Sequence, residues 1–369
     1  MHILRALIYP TMIAATISFA ACSQHHKSDV NTIKVDMAKV EDVHISTDNI
    51  IPLAANDSSM LYNIGDIVPV GDTLYIASGP LLKAFSATDG RYIGNLGKMG
   101  EGPEEYRSVM RLWKKDGLLH IFDLEKKLRL DFSYDGKYVG AVNVKNAISD
   151  SDVVSTPNYI IETPDNKAYI AINSFIGGGD TSGQPSYSVY DKNLNFIKNI
   201  PGRYLECSGY MFDRGYTDTI NHRLLMWEVL RDTIFSVSES DVIPLYALDF
   251  GKQAFPSSSS SKADVFQRVN DFNTPPAGNK YVSFIKYIQP DENNYIYFVC
   301  NDSDYKYYLI RFSEDDIKVD IRNIMVDNGR YSLQPFFKVD GNRILLTFKD
   351  NENDEANPAI AFFDISQIF

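Results

Sequence analysis

The chain is poor in the residues that build compact catalytic centres. Its 369 residues include only 6 His, 3 Cys and 2 Trp. Three cysteines cannot frame a disulfide scaffold, and no Cys or His spacing matches a zinc site. His2, His25 and His26 fall in the N-terminal segment. His44 precedes the first repeat, His120 sits in a run of alternating apolar residues, and His222 follows Asn221 in a turn. His25 and His26 would be two ligands on a flexible tether, a poor metal site, so no metal is expected. Gly-x-Ser-x-Gly is absent and no Ser-His-Asp arrangement is visible. No catalytic residue is assigned and no cofactor is implied. Positive charge is also in deficit: 36 Lys and Arg stand against 48 Asp and Glu, a net charge of −12. Nucleic-acid backbones need a clustered positive surface, so they are excluded as partners.

Long apolar runs are missing after the first 21 residues. Ala6–Ala21 is apolar, follows Arg5 and ends in small residues directly before Cys22. At about 16 residues it is short for a membrane span and right for a secretory signal. Small residues followed at once by Cys resemble the lipobox of bacterial lipoproteins. That resemblance implies cleavage before Cys22, a diacylglyceryl thioether on its sulfur and an acylated amine. Multiple acyl chains make the anchor stable. Ser23 is not Asp, so outer-membrane rather than inner-membrane residence is expected. Residues 1–21 are thus read as the signal, residues 22–40 as lipidated cysteine and polar tether, and residues 41–369 as the folded domain. Cys207 and Cys300 remain, either bridged in an oxidising compartment or as two free thiols.

What is abundant is aromatic and apolar content in a repeating pattern. Tyr (23) and Phe (21) are frequent, which favours strands. An aromatic, a polar turn and a short apolar strand recur at Phe85–Ile93, Phe132–Val139, Tyr190–Ile197, Phe235–Val242, Phe312–Val319 and Phe363–Phe369. Asp89-Gly90 and Asp135-Gly136 suit tight hairpins. A second strand precedes each unit: Thr73–Ala77, Leu118–Phe122, Ala168–Ile172, Leu224–Trp227, Tyr295–Val299 and Ile344–Phe348. Six blocks of antiparallel strands without helical crossovers predict an all-β, six-bladed β-propeller of four-stranded blades. The sixth block lacks an outer strand. Val43–Ser46 or Ile50–Leu53 is expected to supply it and close the ring. One short helical insertion is expected over Lys262–Phe272, where Val265, Phe266, Val269 and Phe272 share a face after the serine run Ser257–Ser261. It either packs on the ring or covers one end of the channel.

Ile50–Leu53, Leu74–Ile76 and the glycine-rich stretch Gly94–Tyr106, with Arg231–Phe235 and Leu248–Lys252, resemble a family of six-bladed propeller lipoproteins of gut-type Gram-negative bacteria. The resemblance spans most of residues 40–369. It implies a secreted, lipid-anchored ring related in architecture to TolB-like and NHL-like propellers, and implies no established activity.

Candidate binding residues follow from position. Gly97–Tyr106 is not a phosphate loop: it lacks Gly-Lys-Ser/Thr, and Glu101, Glu104 and Glu105 would repel phosphate. It is either an inter-blade connection anchored by Tyr106 or a binding loop at the channel mouth. Arg107, Arg111 and Trp113 follow on the next innermost strand, and Arg and Trp are frequent contact residues. Arg203, Tyr204, Tyr210, Arg214 and Tyr216 crowd one long connection. Gly177–Gly183 reads as a hairpin tip, and Asp350–Glu355 as a solvated acidic turn that fails the calcium-loop pattern. The functional expectation is a monomeric binding or scaffold module for an envelope protein, peptide or glycan. The alternative is a propeller glycoside hydrolase or lyase using channel carboxylates.

Overall fold

The computed structural model describes residues 30–62, 64–145, 156–174, 186–201, 214–218, 222–227, 232–256 and 265–369. Cys22, Gly177–Gly183, Arg203, Tyr204, Cys207, Tyr210 and the serine run lie outside the described residues. Three strands come first: β1 (Asn31–Lys34), β2 (Glu41–Ile45) and β3 (Ile51–Pro52). A first antiparallel sheet follows, β4 (Asp66–Val70), β5 (Thr73–Ser78), β6 (Leu81–Ser86) and β7 (Tyr92–Asn95), then a small parallel pair, β8 (Lys98–Met99) and β9 (Glu105–Tyr106). The second sheet is β10 (Arg111–Lys115), β11 (Leu118–Asp123), β12 (Leu128–Ser133) and β13 (Tyr138–Asn143). The third is β14 (Thr156–Glu162), β15 (Ala168–Ser174), β16 (Tyr187–Asp191) and β17 (Phe196–Asn199). The fourth is β18 (Arg214–Asp218), β19 (Arg223–Trp227), β20 (Thr233–Val237) and β21 (Val242–Asp249), widened by β1.

The remaining strands form one nine-stranded assembly: β22 (Val282–Pro290), β23 (Tyr295–Asp302), β24 (Tyr307–Ser313), β25 (Val319–Val326), β26 (Tyr331–Asp340), β27 (Arg343–Asp350) and β28 (Ala359–Asp364), with β3 beyond β28 and β2 beside β25. Its two antiparallel stretches, β22–β25 and β26–β28–β3, are joined through one residue pair, Met325 opposite Ser332. The fold is thus all-β, built of four-stranded antiparallel sheets in a propeller arrangement. All six second strands expected from the sequence are present. Helix α1 (Val265–Asn273) connects β21 to β22, where Phe272 packs with Phe255 and Tyr281. Among the described residues no helix is long and apolar enough to cross a membrane.

The strands form where apolar residues are nearly continuous, because each sheet is covered on both faces. Side chains alternate across a strand, so neighbours serve different interfaces. Leu224 belongs to the apolar cluster between the third and fourth sheets, while Leu225 joins the cluster toward β22–β24. Tyr297 and Phe298 divide in the same way. The clusters pass from sheet to sheet round the molecule and end by joining Phe336, Leu345 and Ile360 to Leu74, Ile76 and Phe85 of the first sheet. First strands of consecutive sheets touch, β4 with β10, β14 with β18, β18 with β22 and β22 with β26, so they face the centre. Buried Asp side chains close the turns between strands. Asp302, for instance, accepts from the Asp304 and Lys306 N–H groups at 3.0 and 2.9 Å.

Closure is made by β3, the expected strand: Ile51 and Pro52 pair with Ile360 and Ala359 of β28. The other candidate, β2, instead pairs in parallel with β25. One further strand was not foreseen. β1, inside the stretch read as tether, pairs in parallel with β21, and Ile33 is fully buried. Ile33 and the equally enclosed Val35 alternate with polar residues over too short a stretch to read as a strand. Cys300 is free and fully buried in the cluster beneath the fourth sheet.

The closing strand leans on one turn. Gly90, in the hairpin between β6 and β7, has φ +71°, and a Cβ there would stand 2.1 Å from the Pro52 carbonyl oxygen. Its own carbonyl accepts from the Ala54 N–H at 2.9 Å. Gly71 has a similar φ of +55° with nothing within 4 Å. Gly71→Ala should therefore cost about 1–2 kcal/mol for the left-handed backbone alone, and Gly90→Ala clearly more, about 3 kcal/mol or above, because β3 must shift. Paired urea-unfolding curves check this; equal losses would show that Gly90 does not hold the closure.

Candidate functional site

The glycine-rich loop settles as structure. β8 and β9 pair across it, Lys98 opposite Glu105 and Met99 opposite Tyr106. The Glu105 carboxylate accepts from the Gly102 N–H at 2.8 Å and meets Lys98 Nζ at 2.7 Å. A Cβ at Gly100 would lie 2.1 Å from that carboxylate, which is why glycine stands there. Lys126 Nζ donates to the Gly102 and Glu105 carbonyls at 2.6 and 2.7 Å. Tyr106 is enclosed. Its hydroxyl donates to the Leu96 carbonyl at 3.0 Å and accepts from the Leu82 N–H at 3.2 Å. Burial pushes its pKa up to about 12. Tyr106 anchors the loop, the first of the two expected roles, and offers no face to a ligand.

Arg107 lies before β10, on the surface, between Glu101 at 2.6 Å and Glu125 at 3.0 Å. Arg111 and Trp113 are on β10, a centre-facing first strand. The Arg111 guanidinium lies between the rings of Trp113 and Tyr159, 5.1 Å from each centroid, and donates to the Ile160 carbonyl of β14. Arg214 begins β18 opposite Trp227. The sequence therefore brought Arg111 and Trp113 to the centre, and scattered Tyr106 and Arg107 away from it.

Behind Trp113 runs a buried polar layer. Its ring stacks on His120 at 5.2 Å. His120 Nδ1 is 2.7 Å from Asp131 Oδ1, and Arg129 grips the same carboxylate through Nε at 2.9 Å and Nη2 at 3.0 Å. Arg129 Nη1 also donates to the Tyr169 hydroxyl of the third sheet at 2.8 Å. Burial alone would raise the Asp131 carboxyl, but the bonds from His120 and Arg129 outweigh it and hold the carboxyl low. Register explains the layer: Trp113, His120 and Asp131 are cross-strand partners on one face. It fixes the ring that braces Arg111.

The residue the sequence reading missed is Lys338. It lies on β26, another first strand, where Phe336 and Phe337 are buried and Lys338 is half-buried. Its ammonium feels Asp66 of β4, Arg111 and Lys114 of β10, and Asp340. Charges from three different sheets can meet only at the centre of the ring. Crowding by protein pushes the Lys338 pKa down, a shift that Arg111 and Lys114 deepen and Asp66 and Asp340 oppose. Among the described residues no carboxylate comes within ion-pair distance of either Lys338 or Arg111. Asp66 accepts from the Leu112 N–H at 3.1 Å. Lys114 donates to the Pro69 carbonyl at 3.1 Å and stands 4.0 Å from Asp340. Among the described residues, no three His, Cys, Asp or Glu side chains gather as a metal site. Asp350 caps its own turn and is held low first by its bond from Arg330, so the acidic run there is a turn.

The fold and this centre define a propeller whose channel carries mixed charge. The chain belongs to the family described as domain of unknown function DUF4934, whose model matches residues 29–363. It is similar in structure to a protein of Bacteroides fragilis described as exported, with 13% identity, a TM-score of 0.60, and 91% of this chain and 99% of that one covered. It is also similar to a DUF4221 family member from Bacteroides vulgatus, with 10% identity, a TM-score of 0.56, and 85% and 96% covered. At these identities the likeness is one of fold. No curated protein matches the chain.

Lys338 carries a testable sign. Its folded pKa lies below that of the unfolded chain, so between the two values the unfolded state binds more protons and stability rises with pH. Below the folded pKa the full cost of the enclosed ammonium applies. Lys338→Met should therefore be as stable as the parent or up to about 2 kcal/mol more stable near neutral pH. The gap should shrink as pH climbs toward the ordinary lysine range. Denaturation at stepped pH measures it; a variant less stable at neutral pH would show that the ammonium is well paired.

Proposed function

We propose that the protein is a six-bladed propeller anchored to the outer membrane through a lipid on Cys22, acting as a monomeric binding or scaffold module for an envelope protein, peptide or glycan. Support for six blades comes from the two antiparallel stretches of the nine-stranded assembly, held by a single pair, and from the ring of apolar clusters between consecutive sheets. Support for export comes from the signal-like N-terminus and the exported relative of similar fold.

The observation that carries binding is the centre of the ring. Arg111 is braced between two aromatic rings and Lys338 is crowded by other charges, so both cations are held ready for an incoming partner. A glycoside hydrolase needs an acid with a raised pKa paired with a second carboxylate. Here Asp66 and Asp340 share their space with Lys338, and Lys114 stands near Asp340.

In-cell crosslinking of the tagged protein, followed by affinity purification and mass spectrometry, tests the binding reading. The expected result is a stoichiometric envelope partner. Recovery of the protein alone, with glycan cleavage abolished by Asp340→Asn, would overturn it in favour of the hydrolase. The anchor is tested separately. Cys22→Ala should lose acyl labelling and leave the membrane fraction, and a variant that stays membrane-bound and labelled would sink the lipoprotein reading.

A further inference from the structure

Between the first sheet and β26–β28, at one mouth of the channel, lies a cavity of about 280 Å³. Lys114, Lys338 and Arg343 line it, against Asp72 and Asp340, so positive charge is in excess by one. Arg343 is held in place by its stack on Phe362, 5.0 Å from the ring centroid, and Phe362 lines the same space. Lys114 is fixed by the Pro69 carbonyl. We propose that this cavity binds a small organic monocarboxylate, of about the size of one sugar-acid or amino-acid unit, with its carboxylate on Lys338 and Arg343. The inference rests on the binding reading above and names the chemistry that the channel mouth takes.

Four observations converge on that class. The excess of one positive charge matches a single negative one. A dianion would leave one negative charge uncompensated beside Asp340 and Asp72. The volume is below that of drug-sized sites, so it admits one unit rather than a chain. Finally, a guanidinium stacked on an aromatic ring keeps its in-plane fork free for a carboxylate. Lys338, with no carboxylate in ion-pair distance among the described residues, lines the same cavity and supplies the second donor. Sugar stacking is a poorer fit, because the Phe362 face is already covered by Arg343.

Binding should also carry protons. The groups facing Lys338 are Asp66, Arg111, Lys114, Asp340 and Arg343. Of these, the arginines stay charged across the accessible range. An arriving carboxylate favours the protonated lysine, so affinity should fall as pH rises through the lowered Lys338 pKa, and binding should take up protons wherever free Lys338 is partly neutral.

The test is isothermal titration of the purified full chain with glucuronate, N-acetylalanine and inorganic phosphate, and with glucose as the uncharged control. The expected result is saturable binding of glucuronate or N-acetylalanine, with a Kd of roughly 0.1–1 mM, and none for glucose. Whichever of the two binds identifies the source of the carboxylate. Lys338→Met should weaken binding at least ~10-fold, and Arg343→Gln should weaken it with the fold intact by circular dichroism. Failure of both carboxylates, tighter binding of phosphate, or an unchanged Kd in Lys338→Met would each overturn the proposal. If crosslinking still recovers an envelope partner in that case, the binding-module reading stands and only the ligand class is lost.

Discussion

Everything in this molecule depends on joining the two ends of a circle. Each sheet is covered by its neighbours on both faces, so a ring left open would expose two apolar faces and an unpaired edge. The join is made by two residues of β3 against β28, and by Phe336, Leu345 and Ile360 packing on Leu74, Ile76 and Phe85. The backbone pairing is short, so the apolar contact supplies most of the stabilisation and the pairing supplies the register. Gly90 belongs to this join because its turn approaches β3 more closely than any side chain would allow.

Closing the circle also decides where polar chemistry can sit. Faces between sheets are apolar, with the His120–Asp131–Arg129 layer as an exception that satisfies its own donors and acceptors. Such a network favours one arrangement of the second sheet against the third more than it adds stability. Outer strands face solvent. Only the first strands face the centre, where they pack less completely and where charges from several sheets share one space. Arg111, Lys338, Asp66 and Lys114 meet there because of radial position, and their separation along the chain is irrelevant to it.

That geometry explains what could be read from the sequence. The strands were legible because aromatic, turn and apolar run recur, and the closing strand because the last repeat lacked an outer partner. Helix α1 showed its apolar spacing. β1 was hidden because its apolar alternation, Ile33 and Val35, is short and set among polar residues. Tyr106 was visible as a conspicuous aromatic after a glycine loop, but its direction was not: whether such a ring points into the channel or under the loop depends on Leu82 and Leu96, 24 and 10 positions earlier, and no local pattern records those contacts. Lys338 was illegible for a different reason. A lysine between Phe337 and Val339 reads as the solvent-facing member of an alternating strand. On a first strand of a ring, the same alternation turns it toward the centre.

The cost of that lysine is the strongest reason to regard the channel mouth as more than packing. An ammonium that protein crowds, with no carboxylate in ion-pair distance among the described residues, works against stability, and a methionine of similar length would fill the space without penalty. The neighbouring cations deepen the cost, since Arg111 and Lys114 raise the local potential that Asp66 and Asp340 only partly offset. A fold that needed only closure would gain by removing it. An anionic partner reverses the balance: it supplies counter-charge to Lys338 and recovers as binding free energy part of what the crowded ammonium costs the fold. Arg343 on Phe362 and Arg111 between Trp113 and Tyr159 point the same way, because each is held in a single orientation before any partner arrives, and pre-ordering a donor reduces the entropy lost on binding.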